Sequence, residues 1–325
     1  MPLSSESAEP LSWSDLASLA MPEPNRIEGP TSAQATLRLF GQPESNVMVT
    51  LYRDHHAWCP YCQKIWLWLE FKRIPYRIRK VTMRCYGPKE PWFLEKVPSG
   101  MLPALELNGR LITESDDILL ALEQQFGPLG MAMTAPEALE LRRLERLLFQ
   151  AWCIWLCSPR LSPRQQVLAR EQFQDIARRF ERELNQEGGP WLRGPEPQTV
   201  DLIFVPYVER MNASLAYYKG YRLRAEHPAI DRWFRALEQL ETYRGTQSDF
   251  HTHAHDLPPQ MGGCWSDDGE DAQHLATQID RGDGLGEDEA CWDGVNQADQ
   301  AAIALSRVLR HQQRLREVNP MGAEA

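Results

Sequence analysis

No stretch of this 325-residue chain approaches the roughly 20 apolar residues needed to cross a bilayer. The longest useful block, Ile65-Trp66-Leu67-Trp68-Leu69, stops at Glu70. An excess of basic charge is missing too. Thirty-five Lys and Arg stand against 45 Asp and Glu, for a net charge of −10, which argues against a nucleic-acid partner. The first ten residues contain Glu6 and Glu9 and no Arg. They have neither the basic and apolar regions of a secretory signal nor the Arg-rich character of a transit peptide. Cysteine is sparse, and its count of seven is odd, so a disulfide scaffold is not expected. From Trp265 to Asp293 there are ten Asp or Glu and one basic residue, Arg281, without the alternating Asp spacing of a calcium loop. These absences point to a soluble protein of a reducing compartment. The cytoplasm is the expectation, with a plastid as the alternative if the source is a photosynthetic eukaryote.

What is present is a succession of short, well-punctuated elements. Residues 1–46 are rich in Pro, Ser and Glu, with one short helix expected from Trp13, capped by Ser12 and carrying Asp15 in its first turn. Val47–Tyr52 reads as a strand. A polar loop at Asp54-His55-His56 leads to Cys59, and Pro60–Arg73 reads as a helix with proline in its first turn. Tyr76–Thr82 reads as a second strand, closing a β-α-β unit with a right-handed crossover. Asn108-Gly109 between two short apolar runs marks a hairpin. A helix then starts at Glu114-Ser115 and runs to Phe126. Helical periodicity governs residues 132–247: Leu141, Leu144, Leu148, Ala151 and Trp155 form one stripe, and Ala169, Phe173, Ile176, Phe180 and Leu184 the next. Val200–Tyr218 and Pro228–Tyr243 read as further helices. The acidic stretch reads as irregular, followed by a last helix from Gln297 to Val318.

The chemistry-bearing signal is Cys59-Pro60-Tyr61-Cys62, placed after a strand and at the start of a helix. Free N–H groups and the positive end of the helix dipole stabilise a thiolate there, which makes Cys59 the expected nucleophile. Cys62, one turn in, is placed to resolve a mixed disulfide. Half a zinc site is the competing reading, with His55 and His56 as the nearest further donors. Leu102-Pro103 stands at the mouth of a strand facing the redox Cys, where a cis bond is expected. Glu114-Ser115 at a helix start suits an α-amino-acid end group, Ser115 binding its carboxylate and Glu114 its ammonium.

Residues 47–247 resemble the glutathione transferase superfamily. The motifs are Cys-Pro-Tyr-Cys at 59–62, Pro-Ser-Gly-Met-Leu-Pro at 98–103, Glu-Ser at 114–115, Pro-Trp-Leu-Arg-Gly at 190–194 and Val-Asp-Leu-Ile at 200–203. The Cys-Pro-Tyr-Cys form is also that of dithiol glutaredoxins, and the chain looks like the cysteine-type iota class, which has extra segments at both ends. The resemblance implies an α/β thioredoxin-like domain (47–127), an all-α transferase C-terminal domain (132–247), an N-terminal extension (1–46) and an acidic extension ending in a helix (248–325). It implies glutathione as co-substrate, bound by Pro60, Tyr61, Lys89, Leu102, Pro103, Glu114 and Ser115, with Lys89 meeting the glycyl carboxylate. Cys59 and Cys62 are the implied catalytic pair of a thioltransferase acting on small or glutathionylated protein substrates, with the family's homodimer as the assembly to test. No resident metal is expected. The alternatives are an iron–sulfur cluster held by the same helix end with glutathione as a ligand, and a conjugating transferase. One departure concerns the central helix. The family's Ser or Thr three residues before the Asp is Gln198 here, with Thr199 next, so capping can shift by one residue.

The remaining features carry less. His251-Thr-His253-Ala-His255 would place three imidazoles on one face of an extended strand, a conceivable zinc or iron set. A polar hinge docking the extension is the reading preferred. Cys153 and Cys157 read as small buried hydrophobes, and Cys85, Cys264 and Cys291 have no evident partner. Tyr52 reads as strand core. Tyr217 and Tyr218 are weighed as second-substrate residues against simple packing.

Overall fold

The computed structural model describes residues 11–22, 24–285 and 297–319. They fall into two compact units, one of residues 26–292 and one drawn from 1–25 and 293–325. The smaller unit begins with α1 (Trp13–Leu19), where Ser12 and Asp15 form a reciprocal capping box as the sequence predicts.

The larger unit opens with β1 (Leu37–Arg38), followed by β2 (Val49–Asp54), α2 (Pro60–Phe71), β3 (Tyr76–Val81), α3 (Pro91–Lys96), β4 (Ala104–Leu107), β5 (Arg110–Thr113) and α4 (Ser115–Phe126). The sheet order is β1-β3-β2-β4-β5. The β2–β3 pair is parallel, with Leu51 beside Ile78, and the other pairs are antiparallel. This is the thioredoxin-like arrangement expected from the β-α-β and hairpin signals. The Asn-Gly turn is in place, both residues at positive φ. Two differences concern the sheet. β2 starts two residues later than expected and extends through Asp54, which is therefore buried strand rather than polar loop. The two-residue β1 adds an edge through residues placed in the N-terminal extension. Arg38 in β1 makes a bidentate pair with buried Glu70 of α2, at 2.9 and 3.1 Å, and Tyr76 and Thr31 donate to the same carboxylate.

The helices that follow are α5 (Pro136–Cys157), α6 (Pro163–Asn185), α7 (Thr199–Lys219), α8 (Leu223–Glu226), α9 (Pro228–Glu238) and α10 (Glu241–Arg244). The predicted stripes on α5 and α6 are buried throughout. The single helix expected from Pro228 to Tyr243 is broken at Leu240. α7 is buried on nearly every face, as a helix enclosed by α2, α5 and their neighbours must be. Its cap does not shift. Gln198 precedes the helix, and its N–H donates to Asp201 at 3.0 Å. Thr199 instead donates to Glu123 and the Leu129 carbonyl and accepts from Trp68 Nε1, tying α7 to α4 and α2.

Next come α11 (Phe250–His255), α12 (Leu257–Met261) and α13 (Glu270–Asp280), the last of which lies within the acidic stretch expected to be irregular. α11 and α13 lie along α7, with Ala272, Leu275 and Ile279 of α13 buried. Gly220 closes α7 at φ +61, and a Cβ there would come within 2.8 Å of the Ala272 amide, so both the turn and the seat of α13 need glycine. In the smaller unit, α14 (Gln297–Arg310) and α15 (Gln312–Val318) replace the one expected helix, the break falling at His311. α14 packs on α1, and the Met21 amide donates to the Ala302 carbonyl at 3.2 Å. Among the described residues no helix is long and apolar enough to cross a membrane.

Candidate active site

Cys59 is the residue before α2, with Pro60 opening the helix. Its Sγ lies 3.9 Å from the Leu102 carbonyl oxygen, and the Leu102–Pro103 bond is cis, as expected. Cys62 sits behind it, 1% exposed. Burial, a hydrogen bond to the Cys59 sulfur, and the charges of Cys59 and Asp54 push the Cys62 thiol well up. Cys62 is therefore held as a proton donor toward Cys59. Asp54, missed in the sequence because it reads as loop, accepts from the Trp58 amide at 2.6 Å and fixes the turn that delivers Cys59. The acid lying with Cys59 and Cys62 is this Asp54, not His55 or His56. His55 instead faces Glu90 at 3.6 Å, and His56 stacks on Tyr86.

Two cavities meet at Tyr61, Met101, Leu102 and Tyr207, and Cys59 lines the larger of them. The smaller, of 270 Å³, is lined by Leu102, Pro103, Glu114 and Ser115, joined by Lys64, Arg142, Glu145 and Arg146. Glu114 occupies positive φ at the start of α4, and Ser115 is buried as its first residue. Lys64 donates to Asp116 at 2.7 Å, Arg142 pairs with the same carboxylate, and Arg146 pairs with Glu145. Burial lowers Lys64 to about 7, with Arg142 and Arg146 adding to the fall, and burial raises Glu145. The pocket thus carries both signs of charge in a poorly solvated space, which suits a zwitterionic end group. The larger cavity, of 670 Å³, runs from Cys59 and Pro60 past Lys89 to Phe149, Trp152 and Tyr207. Lys89 is half-buried, its Nζ donating to the Thr82 carbonyl at 2.9 Å. Gly100 stands at φ +65, and a Cβ there would meet the Lys89 stem at 3.3 Å. Tyr61 borders both cavities and packs edge-on against Tyr207. The predicted Pro60, Tyr61, Lys89, Leu102, Pro103, Glu114 and Ser115 therefore all line one connected site. Lys64, Arg142, Glu145 and Arg146 were not foreseen. Their only trace in the sequence is that Arg142, Glu145 and Arg146 repeat at helical spacing beside the buried stripe.

The far wall decides between the two readings of Tyr217 and Tyr218 in favour of packing. Tyr217 and Tyr218 do not line either cavity. Tyr218 is buried with its hydroxyl donating to the Ala254 carbonyl, and both pack under the added helices. Leu257, Gln260 and Met261 of α12 supply that wall instead. The larger cavity as a whole is aromatic, apolar and partly cationic. Cys153 and Cys157 are half-buried rather than buried, and Cys264 lies against Cys157, where the Trp265 amide donates to the Leu156 carbonyl at 3.0 Å. Cys85 lies beside Gln260. Cys291 lies outside the described residues.

α7 anchors the site from beneath. Arg210 is buried and donates to Gln63 at 2.8 Å, to the Pro206 carbonyl and to the Trp58 carbonyl next to Cys59. Glu209 accepts from Gln63 at 2.8 Å and pairs with buried His253 at 2.9 Å. Burial, then the Arg210 charge, holds His253 below its ordinary 6.5. Burial alone would raise Glu209, but His253, Arg210 and Gln63 overcome it and hold the carboxyl below 4.5. Below pH 6.5 the unfolded His253 takes up a proton that the folded one refuses, so acid favours unfolding. The contribution is complete above 6.5 and is lost as the pH falls through the folded value. Glu209 adds a loss of the same sign below 4.5. Tm is therefore expected to fall on acidification from pH 6.5. The His253→Gln variant, which keeps a donor for Glu209 without titrating, is expected to show a shallower Tm slope between pH 6.5 and 5. Equal slopes would place the acid sensitivity elsewhere.

Residues 58–125 match the family model described as glutathione S-transferase, N-terminal domain. The Arabidopsis thaliana protein named glutathione S-transferase DHAR2 is 25% identical over 190 residues, covering 58% of this chain and 84% of that relative. The fold is similar to the crystal structure of Chlamydomonas reinhardtii dehydroascorbate reductase, with a TM-score of 0.55 at 20% identity, over 65% of this chain and 97% of that one. It is also similar to glutathione transferase Omega 3C from Trametes versicolor, with a TM-score of 0.53 at 28% identity, over 62% of this chain and 90% of that one. The matched segment runs from Trp58 almost to the end of α4, so residues 58–125 carry a glutathione S-transferase N-terminal domain, and the chain is similar in sequence and fold to glutathione transferases.

Proposed function

We propose that the chain is a glutathione-dependent thiol–disulfide oxidoreductase of the cysteine type, with Cys59 as nucleophile. The observation that carries this reading is the position of the Cys59 sulfur. It lies at a helix start and opposite the Leu102 carbonyl, where the charged pocket around Glu114 and Ser115 meets the large aromatic cleft. Glutathione would place its γ-glutamyl ammonium at Glu114 and carboxylate at Ser115 and the α4 N-terminus. Its backbone would pair with Leu102, and its glycyl carboxylate would reach Lys89. Its sulfur then falls at Cys59. The Cys59 thiolate attacks the glutathionyl sulfur of a mixed disulfide R–S–SG. The S–S bond breaks and the leaving thiolate R–S⁻ takes up a proton to become R–SH, giving Cys59–S–SG. A second glutathione thiolate attacks that disulfide, releasing oxidised glutathione and restoring Cys59. The net reaction is R–S–SG + GSH giving R–SH and oxidised glutathione: the sulfur of the incoming glutathione is oxidised and the R sulfur is reduced.

Conjugation by a hydroxyl-activated glutathione is disfavoured, since Tyr52 is core, with its hydroxyl committed to Glu106 at 2.8 Å. Two similar proteins carry names that point to dehydroascorbate as a substrate. The size and aromatic lining of the cleft favour a bulkier, apolar acceptor, such as the mixed disulfide of glutathione with an aromatic thiol, over that small polar molecule. We place the enzyme in the cytoplasm, with the family's homodimer as its assembly. The test is a thiol-transfer assay with a glutathionylated small thiol, run beside dehydroascorbate and an aromatic glutathionyl acceptor on wild type and Cys62→Ser. Wild type is expected to turn over, with the aromatic acceptor giving the highest kcat/KM. Cys62→Ser is expected to retain at least about a tenth of that activity, since the resolving thiol comes from glutathione. A protein purified anaerobically that is brown, dimeric and inactive in transfer would replace this reading with cluster binding.

A further inference from the structure

Away from the cleft, two helices bring together a donor set that the Cys59 chemistry does not use. The alternating histidines lie on α11 rather than on a strand, so His253 turns inward to Glu209, while His251 and His255 stack one turn apart with ring centroids 4.3 Å from each other. α13 adds Asp280, whose Oδ1 lies 2.7 Å from His255 Nε2. One ligand atom from each of His251, His255 and Asp280 lies within 4.8 Å of the other two. The second carboxylate oxygen, Oδ2, accepts from the Tyr217 hydroxyl at 3.3 Å, and the Tyr217 ring packs edge-on to His255 at 5.0 Å. The side chains of His255 and Asp280 are 41% and 47% exposed, so an ion and its water have access.

Two imidazoles at i and i+4 with one carboxylate form a three-residue set that leaves a fourth, water-filled position on a tetrahedral zinc-class ion. Hard cations such as magnesium and calcium prefer all-oxygen sets, so nitrogen donors select against them. Tyr217 plays the part of an outer partner that turns one carboxylate oxygen toward the ion by holding the other. A simple His255–Asp280 ion pair explains two of these residues but not the placement of His251 on the same face. We propose that His251, His255 and Asp280 form a site for a zinc-class divalent ion, joining α11 to α13. Asp256 ends α11 and begins α12, so an ion here steadies the helix that carries Leu257, Gln260 and Met261 into the cleft wall.

The test uses the full-length, tag-free chain carrying Cys59→Ser and Cys62→Ser, so that the active-site sulfurs do not compete. Zinc chloride alone is titrated by calorimetry, and Tm is followed with zinc and with chelator. One zinc per chain is expected, with a rise in Tm on loading. His251→Ala is the decisive variant because it leaves the His255–Asp280 pair in place. It is expected to lose zinc binding while keeping the Tm of the metal-free parent. Tyr217→Phe is expected to weaken binding about tenfold. The proposal is overturned by zinc binding that persists unchanged in His251→Ala, by no binding at all, or by binding that disappears only when Cys157 or Cys264 is replaced by Ser.

Discussion

Replacing Cys59 with Ser is expected to take glutathione-dependent disulfide reduction down to the uncatalysed rate while leaving Tm unchanged. The substitution changes one atom at the floor of the cleft and disturbs no packing of note. What it removes is, among the described residues, the only sulfur both at the helix start and open to the cavity. A serine hydroxyl does not ionise near neutral pH and forms no bond to glutathione that a second thiol can exchange. Cys62 does not substitute for it, because it is 1% exposed and its thiol is pushed well up by burial and by its neighbours. Mass spectrometry provides an independent readout. Wild type incubated with oxidised glutathione is expected to carry one glutathionyl group on the peptide holding Cys59, and Cys59→Ser none there. Full turnover by the variant would mean that the nucleophile lies elsewhere.

The largest expected loss of stability comes from Asp201→Ala. Asp201 is fully buried at the start of α7. It accepts from the Leu192 amide at 2.9 Å, the Gln198 amide at 3.0 Å and Trp233 Nε1 at 3.2 Å. Alanine would leave all three donors without a partner in the interior. Each orphaned donor costs roughly 1–3 kcal/mol, so a loss of about 3–5 kcal/mol is expected, or roughly 10 °C in Tm for a unit of this size. Burial pushes the Asp201 carboxyl up to about 6, so at neutral pH its charge is itself a cost that the donors offset. Asp201→Asn keeps an acceptor oxygen and drops the charge, and is expected to lose clearly less than alanine. Urea unfolding of the three proteins checks the order. A loss in Asp201→Ala below about 1 kcal/mol would show that water or repacking satisfies these donors.

Much of the site is legible in the sequence because its parts are local. A cysteine before Pro60 marks a helix start, Asn108-Gly109 marks a hairpin, and Glu114-Ser115 marks the next helix. Each is a contact among near neighbours, and each stands where expected. What escaped notice depends on elements far apart in the chain. Lys64 on α2 and Arg142, Glu145 and Arg146 on α5 meet only when the two domains close on each other. Asp54 escaped because its charge suggested a loop, whereas its Trp58 partner makes it a buried strand end. The added helices were hidden by composition. Ala272, Leu275 and Ile279 form a usable apolar stripe, but ten acidic residues in the surrounding stretch suggested a solvated coil. For His251 to His255 the alternation suggested a polar hinge or an extended strand, while the decisive local signal was Asp249, which caps α11 by accepting from the Thr252 amide at 2.7 Å.

The wall contributed by Leu257, Gln260 and Met261 has a consequence for evolution of the enzyme. On the proposed reading, the nucleophile and the predicted glutathione contacts lie between residues 59 and 115, whereas part of the larger cavity's wall comes from α12 (Leu257–Met261), far downstream in the chain. Substitutions there can reshape which acceptor fits without touching the tripeptide or the sulfur. Selection for a new substrate therefore has a route that leaves the reductive half of the cycle untouched.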